Sequence, residues 1–121
     1  MSFLSSCFGS LLKFLSFLFV SYELPADYEQ QNALSEAAVA AIKAVHGTVY
    51  EYGPIATAVY PASGSSADYT YGVCGIKYSY GVELRDTGEY GFLLPPEEII
   101  PSGQETFAGI VAMAKFIVNN P

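Results

Sequence analysis

Gly75-Ile-Lys-Tyr-Ser-Tyr-Gly-Val-Glu-Leu-Arg-Asp-Thr-Gly-Glu-Tyr-Gly-Phe-Leu-Leu-Pro95 is the stretch that decides the fold. From Ile76 to Arg85 the side chains alternate strictly, with large apolar residues on one face and small or charged residues on the other. This period of two predicts a β-strand, and the Asp86-Thr87-Gly88 sequence predicts a turn directly after it. The carboxylate of Glu83 is therefore expected at a strand end.

Two interpretations of Glu83 follow from the pattern. The rim of a sheet is where clefts open in α/β proteins, so a carboxylate there can serve as a general base. Ser79 and Gly81 share its predicted face and leave open space beside it. The alternative is a solvated carboxylate at the surface, which the pattern alone favours.

Sequence outside this strand predicts two helices. The first runs from Ser35 to His46, is capped by Asn32 or Ser35 and stops at Gly47, with Val39, Ile42 and Val45 buried. The second starts with a capping box formed by Ser102 and Glu105. The apolar stripe predicted for this second helix consists of Phe107, Ile110, Val111, Ala114, Ile117 and Val118.

The segments between these elements are predicted as strand and loop. Residues 21–32 read as a loop, residues 48–52 as a short strand, and the Gly/Ser-rich residues 61–68 as a second loop. Helices and strands together predict an α/β fold, with a mixed β-sheet flanked by helices.

Composition excludes one class of function. Charged residues make up 14% of the chain and the net charge is −7, whereas nucleic-acid binding needs clustered Lys and Arg to neutralise phosphates. Hydrophobic residues reach 51%, which predicts a membrane segment or a part of a larger core. The two cysteines, Cys7 and Cys74, lack the spacing of a zinc or redox motif.

Residues 1–20 form a Phe/Leu/Ser tract whose only charged residue is Lys13. Three interpretations are open: an atypical signal, a membrane-associating helix, or residues foreign to the fold. The tract is therefore expected to lie outside the unit formed by residues 21–121, and contact with a membrane through it is one expectation.

The chain resembles the carboxyl-terminal third of zinc metallocarboxypeptidases of the pancreatic A/B type. Glu83-Leu-Arg-Asp-Thr-Gly88 carries the resemblance, and residues 60–69 are similar to the tyrosine loop of that family. The resemblance implies secreted enzymes that hydrolyse the last peptide bond of proteins or peptides. It assigns Glu83 as general base and then general acid, and Tyr60 as the tyrosine that closes over the substrate carboxylate.

The resemblance also implies a specificity and a limit. Ala67 stands where B-type enzymes have an aspartate, so apolar or aromatic terminal residues are expected, and Phe92 matches a position near the cleft. The family binds zinc through a His-x-x-Glu pair and a second histidine, none of which is identifiable here, since His46 is the single histidine. We therefore expect a truncated fold and an inactive isolated chain. The alternative is a non-catalytic chain that binds a partner or a membrane.

Overall fold

The computed structural model describes residues 13–16, 24–54 and 65–121, with the backbone alone for residues 13–16. Three helices and three strands are assigned in these ranges, together with one turn of 3-10 helix at Pro96–Glu98. In chain order they are β1 (Lys13–Ser16), α1 (Tyr28–His46), β2 (Glu51–Pro54), α2 (Ser66–Gly72), β3 (Tyr80–Glu83) and α3 (Ile99–Asn119).

The sheet has the order β2-β1-β3. β1 runs parallel to β2, with Lys13 opposite Glu51, and antiparallel to β3, with Lys13 opposite Glu83. A mixed sheet with helices packed against it confirms the predicted α/β class. Its central strand comes from the Phe/Leu/Ser tract, which sequence analysis had placed outside the fold; the role of the rest of that tract stays a prediction.

Helix α1 is longer than predicted. It begins at Tyr28, so the predicted loop over residues 21–32 is wrong for its last five positions, and it ends at His46 as expected. Gly47 adopts φ 81°, and its N–H donates to the carbonyl of Lys43 at 2.8 Å, which is the left-handed cap that glycine favours. Ile42 is buried as predicted, whereas Val45 is 37% exposed.

Helix α3 also begins earlier than predicted, and the capping box at its start is wrong. Ile99 is its first residue and Pro101 lies in its first turn, where the missing N–H costs nothing. Ser102 and Glu105 are therefore buried within the helix instead of capping it. The capping box forms at α2, where Ser65 and Asp68 satisfy each other's backbone N–H groups, inside the predicted loop over residues 61–68.

The core lies between α1, β2 and α3. Ala38, Val39, Ile42 and Tyr50 form its buried cluster, against which Tyr80 and Met113 pack. A Cβ atom on Gly109 would lie 3.0 Å from Ile42, so the two helices meet closely at this glycine. The face of α3 that packs is therefore not the predicted stripe, of which Phe107, Ile110 and Val118 are exposed.

Strand β3 is shorter than the alternation predicts. The predicted strand spans residues 76–85, but within the part of the sheet that the structure describes only Tyr80–Glu83 is paired. The preceding residues fold back on α2 instead, because the N–H of Ile76 donates to the carbonyl of Thr70 at 2.9 Å. No helix in the described ranges is both long and apolar enough to cross a lipid bilayer.

Candidate active site

Glu83 is the last residue of β3, and its side chain is exposed. The alternating pattern predicts a strand end followed by a turn, and both are present. Gly81, two residues earlier, has open space where a Cβ would stand. The carboxylate of Glu83 thus reaches solvent at an edge of the sheet.

Arg85 fixes the chain two residues beyond Glu83. Its Nε donates to Glu105 Oε2 at 2.9 Å, its Nη2 donates to Glu105 Oε1, and its Nη1 donates to Glu98 Oε2 at 2.5 Å. The same Nη2 donates to Thr48 Oγ1 at 2.9 Å, and the Thr48 hydroxyl donates to Glu105 Oε1 at 2.5 Å. The bidentate fork joins the end of β3 to α3, to the 3-10 helix and to the loop after α1.

The electrostatics of this cluster favour the charged form of both partners. Burial alone would raise the pKa of Glu105, but the hydrogen bonds from Arg85 and Thr48 outweigh it and hold that pKa below its ordinary value. The bond with Glu105 raises the pKa of Arg85 in turn, although burial opposes the shift. Glu105 is 0% exposed, so the cluster is a buried ion pair with its hydrogen bonds satisfied.

The turn after Arg85 is held by Asp86. One carboxylate oxygen accepts from the N–H of Gly88 at 3.2 Å, and the other accepts from the N–H of Tyr90 at 3.0 Å. The bond from Tyr90, followed by that from Gly88, lowers the pKa of the Asp86 carboxyl. Glu83 is therefore followed by two anchored residues in an otherwise exposed segment.

Two of the other predicted site residues, Ala67 and Phe92, are described, and neither belongs to β3. Ala67 is buried in α2, and this helix contacts the start of β3 because the Thr70 hydroxyl donates to Ser79 Oγ at 2.9 Å. Ser79 lies four residues before Glu83, about 13 Å along an extended chain. Phe92 is 77% exposed in the loop before Pro95. Tyr60 lies outside the described residues.

The sequence pattern does not indicate Glu105, Glu98 and Thr48 as partners of Arg85. One signal was available, because the only arginine of a charge-poor chain needs a carboxylate partner if it is buried. The pattern assigned Glu105 to a helix cap instead, where its carboxylate would have been exposed.

The described residues do not fit a catalytic zinc ion. Such an ion takes three protein ligands and keeps a fourth position open, and the described ranges contain no group of three His, Cys, Asp or Glu side chains that could hold one. The Nε2 atom of His46 instead hydrogen bonds with Gln104 Oε1 at 2.9 Å. His46 at the end of α1 also lies where the helix dipole favours a cation, as expected.

An open cleft of about 500 Å³ lies elsewhere, between the first half of α1 and β2. Its lining includes Tyr28, Asn32, Tyr50 and Tyr52, but not Glu83. The cleft is therefore separate from the predicted catalytic residue.

Comparison with known proteins identifies the family. The sequence profile described as Zinc carboxypeptidase matches residues 6–109. The chain is 50% identical over 95 residues to carboxypeptidase B of Astacus astacus, a match that covers 78% of this chain and 31% of that protein. It is 48% identical over 99 residues to carboxypeptidase A1 of Sus scrofa, with coverage of 82% and 23%.

A solved structure agrees with these matches. Bovine thrombin-activatable fibrinolysis inhibitor in complex with tick carboxypeptidase inhibitor superposes with a TM-score of 0.87 at 34% identity. The superposition covers 92% of this chain and 38% of that one. The chain belongs to the zinc carboxypeptidase family, a family of metalloproteases, as its resemblance implied. It spans about a third or less of the length of the two relatives named above.

Proposed function

We propose that this chain supplies the carboxyl-terminal part of a secreted zinc carboxypeptidase catalytic domain, in which Glu83 is the general base. The carboxylate takes a proton from the attacking water and returns it to the leaving amine as the terminal peptide bond breaks. The observation that carries the proposal is the exposed position of Glu83 at the end of β3, within a Glu-Leu-Arg-Asp-Thr-Gly sequence. Arg85 supports this role because its bonds to Glu105 anchor the chain directly after the base.

The substrates proposed are peptide or protein C-termini with apolar or aromatic terminal residues. Ala67 is buried and carries no charge, so a basic side chain reaching it would find no partner there. Tyr60 is proposed to close over the terminal carboxylate of the substrate and exclude water. Phe92, in the loop after the Asp86 turn, is proposed to line the substrate cleft next to Glu83, which is distinct from the cleft between α1 and β2.

The chain alone is proposed to be inactive. The described ranges hold no group of three His, Cys, Asp or Glu side chains that could bind a metal ion, so the zinc ligands are proposed to come from a part of the enzyme outside them. The chain incubated with zinc and a peptide ending in Phe should therefore release no free Phe. Stoichiometric zinc binding with steady release of Phe would contradict this part of the proposal.

The role of Glu83 can be tested in a chimera in which this chain replaces the matching segment of pig carboxypeptidase A1. Glu83→Gln should lower kcat by about 10²- to 10⁴-fold, the usual contribution of a general base. The matched control is Glu89→Gln, which removes an exposed carboxylate from the same segment. A Glu83→Gln chimera as active as this control would show that Glu83 is not the base.

Specificity can be tested in the same chimera. Ala67→Asp should raise kcat/KM for peptides ending in Lys or Arg relative to those ending in Phe, because it introduces a carboxylate partner. Ala67→Asn has a similar size without the charge and should not produce this shift. An unchanged ratio of the two kcat/KM values in the Asp variant would show that Ala67 does not set the preference.

A further inference from the structure

The cleft of about 500 Å³ between the first half of α1 and β2 has no part in the proposed reaction. We call it the α1–β2 cleft. Its volume lies within the range of small-molecule sites in proteins, about 300 to 1,000 Å³. Its described lining does not include Glu83, so binding of a ligand there is independent of the proposed catalytic role.

Tyrosine is the main residue type of the lining. Tyr28 lies in the first turn of α1, Tyr50 directly precedes β2, and Tyr52 lies within β2. Tyr50 is 3% exposed and belongs to the core, whereas Tyr52 is 37% exposed. Burial raises the pKa of Tyr50 to about 12, so its hydroxyl stays uncharged at neutral pH. The cleft therefore combines a ring fixed in the core with a ring that a ligand can reach.

The charge of the lining is negative. Among the described lining residues only Glu51 carries a charge, and its side chain is exposed. Asn32 adds an uncharged amide from α1. The whole chain carries a net charge of −7, so its long-range field also favours the approach of a cation.

An anion at the start of α1 is the alternative, because the amino end of a helix attracts negative charge. Two N–H groups of this helix end are already used: that of Tyr28 donates to the carbonyl of Pro25, and that of Gln31 to the carbonyl of Asp27, both at 3.0 Å. Glu29 lies in the first turn and offsets the helix dipole. The described lining includes neither Lys nor Arg. The observations therefore favour a cation over an anion.

Tyrosine rings beside a carboxylate suit an organic cation. The face of an aromatic ring carries negative partial charge and attracts an ammonium group that lies within about 6 Å of the ring centre. The carboxylate of Glu51 adds a direct charge attraction. We propose that the α1–β2 cleft binds an organic ammonium ion, the group that a quaternary amine or a lysine side chain carries.

The proposal is tested by NMR chemical-shift titration of the full chain at low ionic strength. The two probes are choline and Nα-acetyl-lysine amide. Their neutral controls are the analogue of choline with carbon in place of nitrogen and Nα-acetyl-norleucine amide. We expect at least one cation to shift the signals of Tyr28, Asn32 and Tyr52 and to bind about tenfold more tightly than its neutral control.

The cation that binds identifies the source of the ammonium group. Binding of neither cation, equal binding of a cation and its neutral control, or shifts confined to residues outside the cleft would overturn the proposal.

Variants separate the ring from the charge. Tyr52→Leu should weaken binding about tenfold, whereas Tyr52→Phe keeps the ring and should bind within about twofold of the wild type. Glu51→Gln should weaken binding at low ionic strength and lose this effect at high salt, because exposed charges are screened. The matched control is Tyr69→Leu, which removes an exposed tyrosine of α2 outside the described lining and should bind as the wild type does.

Thermal unfolding of each variant checks that it is folded. Equal affinities of Tyr52→Leu and Tyr69→Leu would overturn the proposal. If Tyr52→Leu does not fold, Glu51→Gln decides the question, because its side chain is exposed. An affinity of this variant equal to that of the wild type at low ionic strength would then overturn the proposal.

Discussion

Replacing Glu105 by glutamine should remove more stability than any other single charge-neutralising change in the described cluster. Glu105 is 0% exposed and accepts hydrogen bonds from Arg85 and Thr48. Glutamine keeps the volume and one acceptor oxygen, but its amide group turns a donor toward the N–H groups of Arg85. The variant therefore leaves the guanidinium group short of its main partner.

The magnitude follows from burial. The side chain of Arg85 is only 17% exposed, and removing one partner of a buried ion pair costs about 3–5 kcal/mol. Glu98 continues to bind Nη1 of Arg85, so we expect a loss of about 3 kcal/mol, at the lower end of this range. Glu98→Gln is the matched control, because the Glu98 side chain is 35% exposed and should cost about 0.5 kcal/mol.

Urea unfolding at pH 7 and 25 °C measures both variants. With a slope of about 2 kcal/mol/M, Glu105→Gln should lower the midpoint by roughly 1.5 M. The double variant Arg85→Met with Glu105→Met should recover most of the loss, because no buried charge is then left unpaired. A Glu105→Gln variant that loses less than about 1 kcal/mol, or no more than the Glu98 control, would refute a buried pair as the anchor of β3.

Three further outcomes are expected. The pKa of Glu105 is lowered in the folded chain, so the charged carboxylate stabilises the fold above its ordinary pKa, and this stabilisation is lost as pH falls through the lowered value. In urea titrations below about pH 4, the difference in unfolding free energy between wild type and Glu105→Gln should therefore shrink. Tyr50→Phe should change the free energy of unfolding by less than about 0.5 kcal/mol, since the buried hydroxyl of Tyr50 has no hydrogen-bond partner among the described residues. Tyr80→Phe should cost about 1 kcal/mol, because its hydroxyl donates to a carbonyl of α1 at 3.0 Å. Equal effects in the same urea assay would contradict that difference. Gly109→Ala should lower the melting temperature, because its Cβ would lie 3.0 Å from the side chain of Ile42 in α1. Gly103→Ala meets open space and should raise the melting temperature by adding helix propensity. A change of the same sign in both variants would contradict the close approach of the two helices.

The features that the sequence predicts well are those set by local chemistry. The end of α1 follows from Gly47, which adopts the left-handed conformation that few other residues tolerate. The turn after β3 follows from Asp86, whose carboxylate accepts two backbone N–H groups. The position of Glu83 at a strand end follows from the alternating residues before it and the Asp86 turn after it, so it is predictable from local sequence.

The features that the sequence predicts poorly depend on distant partners. Glu105 looks like a helix cap until Arg85, twenty residues earlier, is seen to bind it. The buried face of α3 contains the small residue Gly109, which allows close contact with α1, and not the larger apolar residues Phe107, Ile110 and Val118. A prediction that places the largest apolar residues of α3 in the core therefore buries the wrong side of the helix.

The central position of β1 has a consequence for how the chain is made. Among the described strands β1 is synthesised first, and its antiparallel partner β3 follows much later in the chain. β2 and β3 contact the sheet only through β1 in the described order. Until β3 is made, β1 therefore has no partner on that side within the described sheet, and an unpaired strand edge is a template for pairing with another chain.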